Sequence, residues 1–293
     1  MPATRHPNAA NCLTKQHKKG RTVRPFSLEL LGLNCAGGEV MTRRIRYSLV
    51  HLGVSASVVA PVVAVALLVW YPAPLASLEG VGLILLIIAA VDVCLGPLLT
   101  SIVASPNKST RQLARDLSVI GFVQLAALMY GVHSTFFARP AFVVYNTDRF
   151  DIVTPSELVW DSGAGSGDPE MGRIPLTGPK WVQALPPESA EVRNRFLFQA
   201  IGGGPDLKQY PQLYRKWPSE PDVIRSRMKG LDTLAENLEA HERAHLTEVL
   251  NKAGLVQGEV SYVPLLGRQR MGIALLRRSD LSLVAAMDIT PPY

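Results

Sequence analysis

Residues 47–107 read YSLVHLGVSASVVAPVVAVALLVWYPAPLASLEGVGLILLIIAAVDVCLGPLLTSIVASPN, and this stretch decides the fold. It contains no lysine or arginine, and its only acids are Glu79 and Asp92. A soluble core does not need such a run, whereas two membrane spans joined by a short loop do. Working outward, the expected spans are residues 47–70, 81–105 and, after a short polar break, 117–138. Each exceeds the ~20 residues that cross ~30 Å of hydrocarbon at about 1.5 Å per residue. A helical bundle buried in a soluble protein would show polar stripes at helical spacing, and none is present. The first span is longer than the roughly 7–15-residue apolar core of a signal peptide, and no clean small-x-small site follows it, so it is read as retained.

Net charge taken alone points to nucleic acid as a partner, since the 293 residues carry a formal +6. The distribution excludes that reading. Residues 1–139 hold 13 Lys/Arg against 5 Asp/Glu, while residues 140–293 hold 17 against 19. The excess of basic residues therefore flanks the spans and acts as a topology signal. Arg43, Arg44 and Arg46 precede the first span, Lys108, Arg111 and Arg115 lie between the second and third, and the loop at 71–80 has none. The positive-inside rule then puts the N-terminus and second loop in the cytoplasm and the first loop and C-terminal region outside. Trp70 with Tyr71, and Phe136 with Phe137, are expected to form an aromatic belt at the outer interface. Arg139 and Arg149 oppose this orientation only weakly, because long translocated regions are little constrained by their own charges.

Residues 1–40 are polar and basic without periodicity, and are read as a disordered cytoplasmic tail or as an over-extended start ahead of Met41-Thr42-Arg43-Arg44. Residues 41–138 form the membrane domain and 139–293 an outer α+β domain. The cysteines are Cys12, Cys35 and Cys94, so the outer domain has no internal disulfide and depends on its core.

Asp92 falls near the middle of the second span. An acid there costs about 2.5–3.5 kcal/mol on insertion scales, so it should face other helices, protonated or paired. Gln124 is the expected partner, with His51 a more distant alternative, and Gly96-Pro97 should bend the helix or free a carbonyl. Asp92, Gly96, Pro97 and Gln124 are the candidate partner-binding set. Helix cohesion through the same polar groups is the competing explanation. One acid is too few for a proton relay or for an intramembrane aspartyl protease.

In the outer region, residues 141–145 and 149–153 read as strands across an Asn146-Thr147-Asp148 turn, and residues 161–168 as an exposed loop. A helix is expected over 188–201, closed by Gly202-Gly203-Gly204, and a second helical region over 222–252. Strands are expected at 260–266, 272–276 and 281–287. His241-Glu242-Arg243-Ala244-His245 is a literal H-E-x-x-H, which on a helix can place two imidazoles on zinc with a glutamate to polarise water. It lacks a third ligand at the extended spacing, and the histidines continue the stripe Leu234, Leu238, His241, His245, Val249, which suits a packing face. His241, Glu242 and His245 are therefore only a weak metal candidate, and no cofactor is expected.

The chain resembles the type IV pilin accessory proteins (TfpX/TfpZ-like). The resemblance is carried by Trp70-Tyr71-Pro72, Val91-Asp92-Val93, Leu95-Gly96-Pro97-Leu98-Leu99-Thr100, Gln124-Leu125-Ala126-Ala127-Leu128 and Ala138-Arg139-Pro140. It continues through Asp148-Arg149-Phe150, Gly203-Gly204-Pro205-Asp206-Leu207 and Val263-Pro264-Leu265-Leu266-Gly267-Arg268. It covers residue 41 to nearly the end. It implies a non-enzymatic bacterial inner-membrane protein that assists assembly or stability of a cognate type IV pilin. The implied partners are the major pilin, the pilus assembly machinery and the lipid bilayer, with no nucleic acid. A membrane-anchored sensor or transport-complex subunit, and a zinc metallopeptidase, are the alternative readings.

Overall fold

The computed structural model describes residues 28–293 apart from Pro106, residues 162–166, residues 236–237 and Tyr293. Three helices are long and apolar enough to cross a membrane, Arg44–Trp70, Val81–Val103 and Thr110–Phe137, close to the expected spans. The first belongs to α1 (Leu28–Val65), which continues through a π-helical turn, Ala66–Trp70. The helix thus reaches into the stretch expected to be a tail, and residues 1–27 lie outside the described residues. A short helix, α2 (Leu75–Glu79), occupies the first loop, and Gly80 in the left-handed region (φ +71°) turns the chain into the second span. That span consists of α3 (Val81–Ala89), a π-helical segment (Ala90–Leu95) and α4 (Gly96–Val103). The third span, α5 (Thr110–Phe137), opens with a capping box between Ser109 and Gln112.

The outer domain is one mixed sheet with helices and loops packed on it. Its strands are β1 (Phe142–Asn146), β2 (Arg149–Val153), β3 (Lys180–Ala184), β4 (Tyr214–Lys216), β5 (Lys229–Gly230), β6 (Val260–Leu266), β7 (Met271–Arg277) and β8 (Leu283–Met287). The order is β4-β3-β1-β2-β6-β7-β8, with β5 also on β6. The β1–β3 and β2–β6 pairs are parallel and the others antiparallel. The hairpins β1–β2 and β6–β7–β8 follow the expected strands closely, whereas β3, β4 and β5 carry no sequence signal strong enough to stand out. Pro264 sits inside β6, where a proline normally breaks a central strand. It falls in the gap between Tyr262, which pairs with β5, and Leu265, which pairs with β2.

The region at 222–252 is not one helix. It divides into α7 (Pro221–Arg227), α8 (Leu231–Ala235) and α9 (Ala240–Ala253), because β5 is drawn into the sheet between the first two. The helix at the front of the outer domain, α6 (Ala190–Ile201), ends at Gly202 and turns through Gly203 (φ +81°), as its glycine triplet implies. The turn that follows positions charge. Asp206 accepts from the Leu207 N–H at 2.7 Å and from Asn146 Nδ2 at 3.3 Å, and Lys208 Nζ reaches the buried Asp151 at 2.8 Å. The buried acid of β2 is thereby neutralised by a cation from the Gly-Gly-Pro-Asp-Leu motif's next residue.

The first loop is built into this domain. Leu75 and Leu78 are fully buried in a cluster with Val143, Tyr145, Phe150, Val263, Leu265 and Ala274 on one face of the sheet. The Leu78 carbonyl accepts from Gln269 N at 2.9 Å and from Arg270 N at 3.2 Å, and Glu79 Oε1 accepts from Arg268 N at 3.2 Å. Gly267 makes room: a Cβ there would lie 2.6 Å from the Leu78 oxygen. The domain boundary expected at residue 139 therefore leaves out a piece of the outer core. The loop at 71–80 and the outer domain also lie at the same end of the span bundle, which requires that they share one side of a membrane.

One aromatic-belt residue, Tyr71, acts differently from expectation, and the arginine after the third span is buried beside it. Trp70 and Phe136 meet edge to face at 5.3 Å, but Tyr71 is only 2% exposed and its hydroxyl donates to the Thr135 carbonyl at 3.1 Å. Burial, reinforced by Glu79, pushes its phenol up to about 12, so it remains a donor at any physiological pH. Arg139 is 1% exposed. It stacks on Phe136 at 3.8 Å and donates to the Phe136 and Pro175 carbonyls.

Gly267→Ala should destabilise the outer domain by about 1–3 kcal/mol, the usual cost of forced overpacking against backbone. Gly258→Ala, whose Cβ would meet nothing within 4 Å, should leave it unchanged, with both read as unfolding midpoints in detergent. Burial raises the Glu79 carboxyl above its ordinary value of 4.5, against the opposing Arg268 N–H bond. The folded joint therefore binds more protons than the unfolded chain, and gains stability as pH falls from neutral through the raised value towards 4.5. Glu79→Gln should remove that gain, so the two melting curves differ most at neutral pH and converge on acidification.

Candidate functional site: a polar cavity inside the span bundle

The second span owes its irregularity to Gly96-Pro97. Proline has no N–H to donate and its ring crowds the preceding turn, and the π-helical segment just before it widens the backbone to relieve this. The Pro97 carbonyl is taken by Ser48 Oγ of the first span at 3.0 Å. Asp92 sits in the widened turn, 4% exposed.

The expected pairing of Asp92 with Gln124 takes another form. Gln124 Nε2 donates to the main-chain carbonyl of Asp92 at 3.1 Å, not to its carboxyl. A widened turn loosens the helix's own hydrogen bonds, which leaves this carbonyl free to accept one from a neighbouring span. Gly96 makes the approach possible, since a Cβ there would fall 2.2 Å from the Gln124 amide nitrogen. His51 also has another partner: its Nδ1 lies 2.6 Å from Thr100 Oγ1. Asp92, Gly96 and Gln124 are thus brought together as expected, while Pro97 serves the contact between the first and second spans.

His51, Ser55, Asp92, Gly121 and Gln124, with Val54, Val58, Val59, Leu125 and Leu128, line a cavity of about 210 Å³ between the three spans. Among the described residues, the Asp92 carboxyl makes no hydrogen bond or ion pair. Such a group can accept a hydrogen bond from a donor brought into the cavity, or give its own proton in one.

The H-E-x-x-H residues are placed differently from expectation. Leu234 belongs to α8 and Leu238 to the linker, so the stripe is broken before His241, and α9 packs instead through Leu246 and Leu250. His241 and His245 are exposed, and His241 Nδ1 lies 3.3 Å from Glu239. Among the described residues no group of three His, Cys, Asp or Glu side chains is placed to hold a metal. Sequence reasoning also missed the joint formed by Leu78, Gly80 and Gly267. Its signal was the glycine following Val263-Pro264-Leu265-Leu266, whose neighbour lies far away in the chain.

A family profile described as Fimbrial assembly protein FimB matches residues 39–80, which hold the first span and the loop that docks on the outer domain. Among curated proteins, the fimbrial assembly protein of serogroup E1 from Dichelobacter nodosus is 30% identical over 221 residues, covering 75% of this chain and 85% of that protein. The chain belongs to the fimbrial assembly protein family. Its serogroup I relative is 29% identical over 240 residues, 82% of this chain and 93% of the relative, and that of serogroups C1 and C2 is 35% identical over 112 residues, 38% and 86%. All three come from the same organism. No solved structure is significantly similar to the chain. This membership accords with the resemblance to the type IV pilin accessory proteins, and the profile's extent shows that span and docking loop are matched as a unit.

Gly96→Ala should displace the flexible Gln124 side chain and remove one buried hydrogen bond, a loss of about 1 kcal/mol. Gln124→Leu should cost a similar amount, and the double variant little more than either, because both act on one bond. A double-variant loss equal to the sum of the singles, in detergent unfolding, would show that the two residues act separately.

Proposed function

We propose that the chain is a non-enzymatic accessory factor of the bacterial inner membrane that assists the assembly or stability of a cognate type IV pilin. The observation that carries this reading is family membership over most of the chain, with relatives whose names are those of fimbrial assembly proteins. The architecture supports it. The first loop is clamped to the outer domain, so a partner spanning the membrane with a folded part outside meets one connected surface. Basic residues flanking the bundle at the end away from the outer domain favour a cytoplasmic N-terminus and a periplasmic outer domain. The exposed placement of His241 and His245 favours an accessory role over zinc catalysis. In this reading Asp92, Gly96, Pro97 and Gln124 form the part of the bundle that a partner meets.

Removing the gene from its host should lower surface fimbriae several-fold while the fibre subunit is still made. Asp92→Ala should insert in the membrane at wild-type level yet restore fimbriae only in part, as counted by electron microscopy. Unchanged fimbriae on the deletion strain would end this reading.

A further inference from the structure

The second span lies between the other two, and the first and third pack on it more than on each other. Their outer ends meet where Trp70 touches Phe136. Below that contact a groove runs along the seam. Its inner part is the cavity beside Asp92, and its outer part is an apolar hollow of about 470 Å³ lined by Trp70, Leu128, Met129, Val132, His133 and Phe136. Leu128 lines both, so the two adjoin one another along the third span. From Gly121 to Phe136 the groove follows the third span for about 22 Å at 1.5 Å per residue, most of the hydrocarbon thickness.

We propose that this groove is a binding site for one further transmembrane helix that carries a hydrogen-bond donor at the depth of Asp92. Two observations point to an occupant. The Asp92 carboxyl is more than nine-tenths buried, lines the cavity, and finds no donor among the described residues. Acyl chains cannot supply one, and residues 47–107 contain no lysine or arginine to do so. Gly121 supplies the second observation. It lies on the groove wall inside a long helix, and a Cβ built on it meets nothing within 4 Å. The chain's own packing gives no reason for a glycine there, whereas small residues on a helix surface admit the backbone of a neighbouring helix. Charge complementarity gives the donor its class: an amine, guanidinium or amide opposite an acid. The occupant is a fibre subunit's membrane helix, and this naming rests on the function proposed above.

The test places a photoactivatable phenylalanine analogue at Val58 or Leu125 on the groove rim, and at Leu86 or Ile102 on other lipid-exposed positions as controls. The full-length chain is expressed in its own fimbriated host. Irradiation should yield an adduct from the rim positions only, with mass spectrometry placing it in the apolar segment of a fibre subunit. Gly121→Leu, which fills open space and leaves the bundle intact, should abolish the adduct. Asp92→Leu should lower it roughly five-fold or more, the factor one lost hydrogen bond carries. Both variants are checked for wild-type membrane levels. Adducts with lipid alone, with a second copy of this chain, or equally from the controls would overturn the groove as a helix site. So would an adduct that neither substitution changes. If the deletion strain lacks fimbriae but the rim traps nothing, the groove fails and the assembly role stands. If the deletion strain is fully fimbriated, the assembly role fails, and a donor-bearing helix trapped at the rim in a manner sensitive to Gly121→Leu still upholds the groove.

Discussion

The structure depends on the grip of the β6–β7 turn on Leu78. A carbonyl near the end of the five-residue helix α2 accepts two N–H groups from Gln269 and Arg270, while the leucine side chain enters the sheet's core. The free carbonyls at the end of α2 would otherwise need water, and at a membrane surface packed under a folded domain little water is at hand. Satisfying them from the turn converts a flexible loop into a structural part of the outer domain. The loop between the first two spans is thereby tied to the sheet by hydrogen bonds and by its leucines.

The same constraint explains why three glycines recur around one leucine. Gly267 and Gly272 give the space that Leu78 fills, and Gly80 takes the left-handed conformation that returns the chain to the membrane. Tyr71 at the end of the first span and Arg139 after the third complete the joint. Both are buried, and both donate to main-chain carbonyls where helix gives way to sheet. In the proposed role, a connection of this kind presents the spans and the outer domain to a partner as one surface.

Inside the bundle the economy is reversed. Proline and glycine in the second span loosen its backbone, and the loosened turn exposes one carbonyl to Gln124 and presents one carboxyl to a cavity. Irregular backbone at membrane depth is tolerated where protein or a cavity lines it, and such irregularities gather at functional sites.

What the sequence by itself determined is the set of spans, the orientation signal, the β1–β2 and β6–β7–β8 hairpins, and Asp92 as the acid that needs an explanation. These are local matters: hydrophobic length, charge beside a span, alternation within a hairpin, and one acid in an apolar run can each be read within a window of about 20 residues. Tertiary structure alone decided that the first loop belongs to the outer core, that β3, β4 and β5 join the sheet, and that the region at 222–252 breaks around a strand. It also turned the histidines of α9 to the surface and gave Gln124 the Asp92 carbonyl in place of its carboxyl. Each of these depends on a partner distant in the chain, as Leu78 depends on Gly267, and no property of either residue announces the other before the chain is folded.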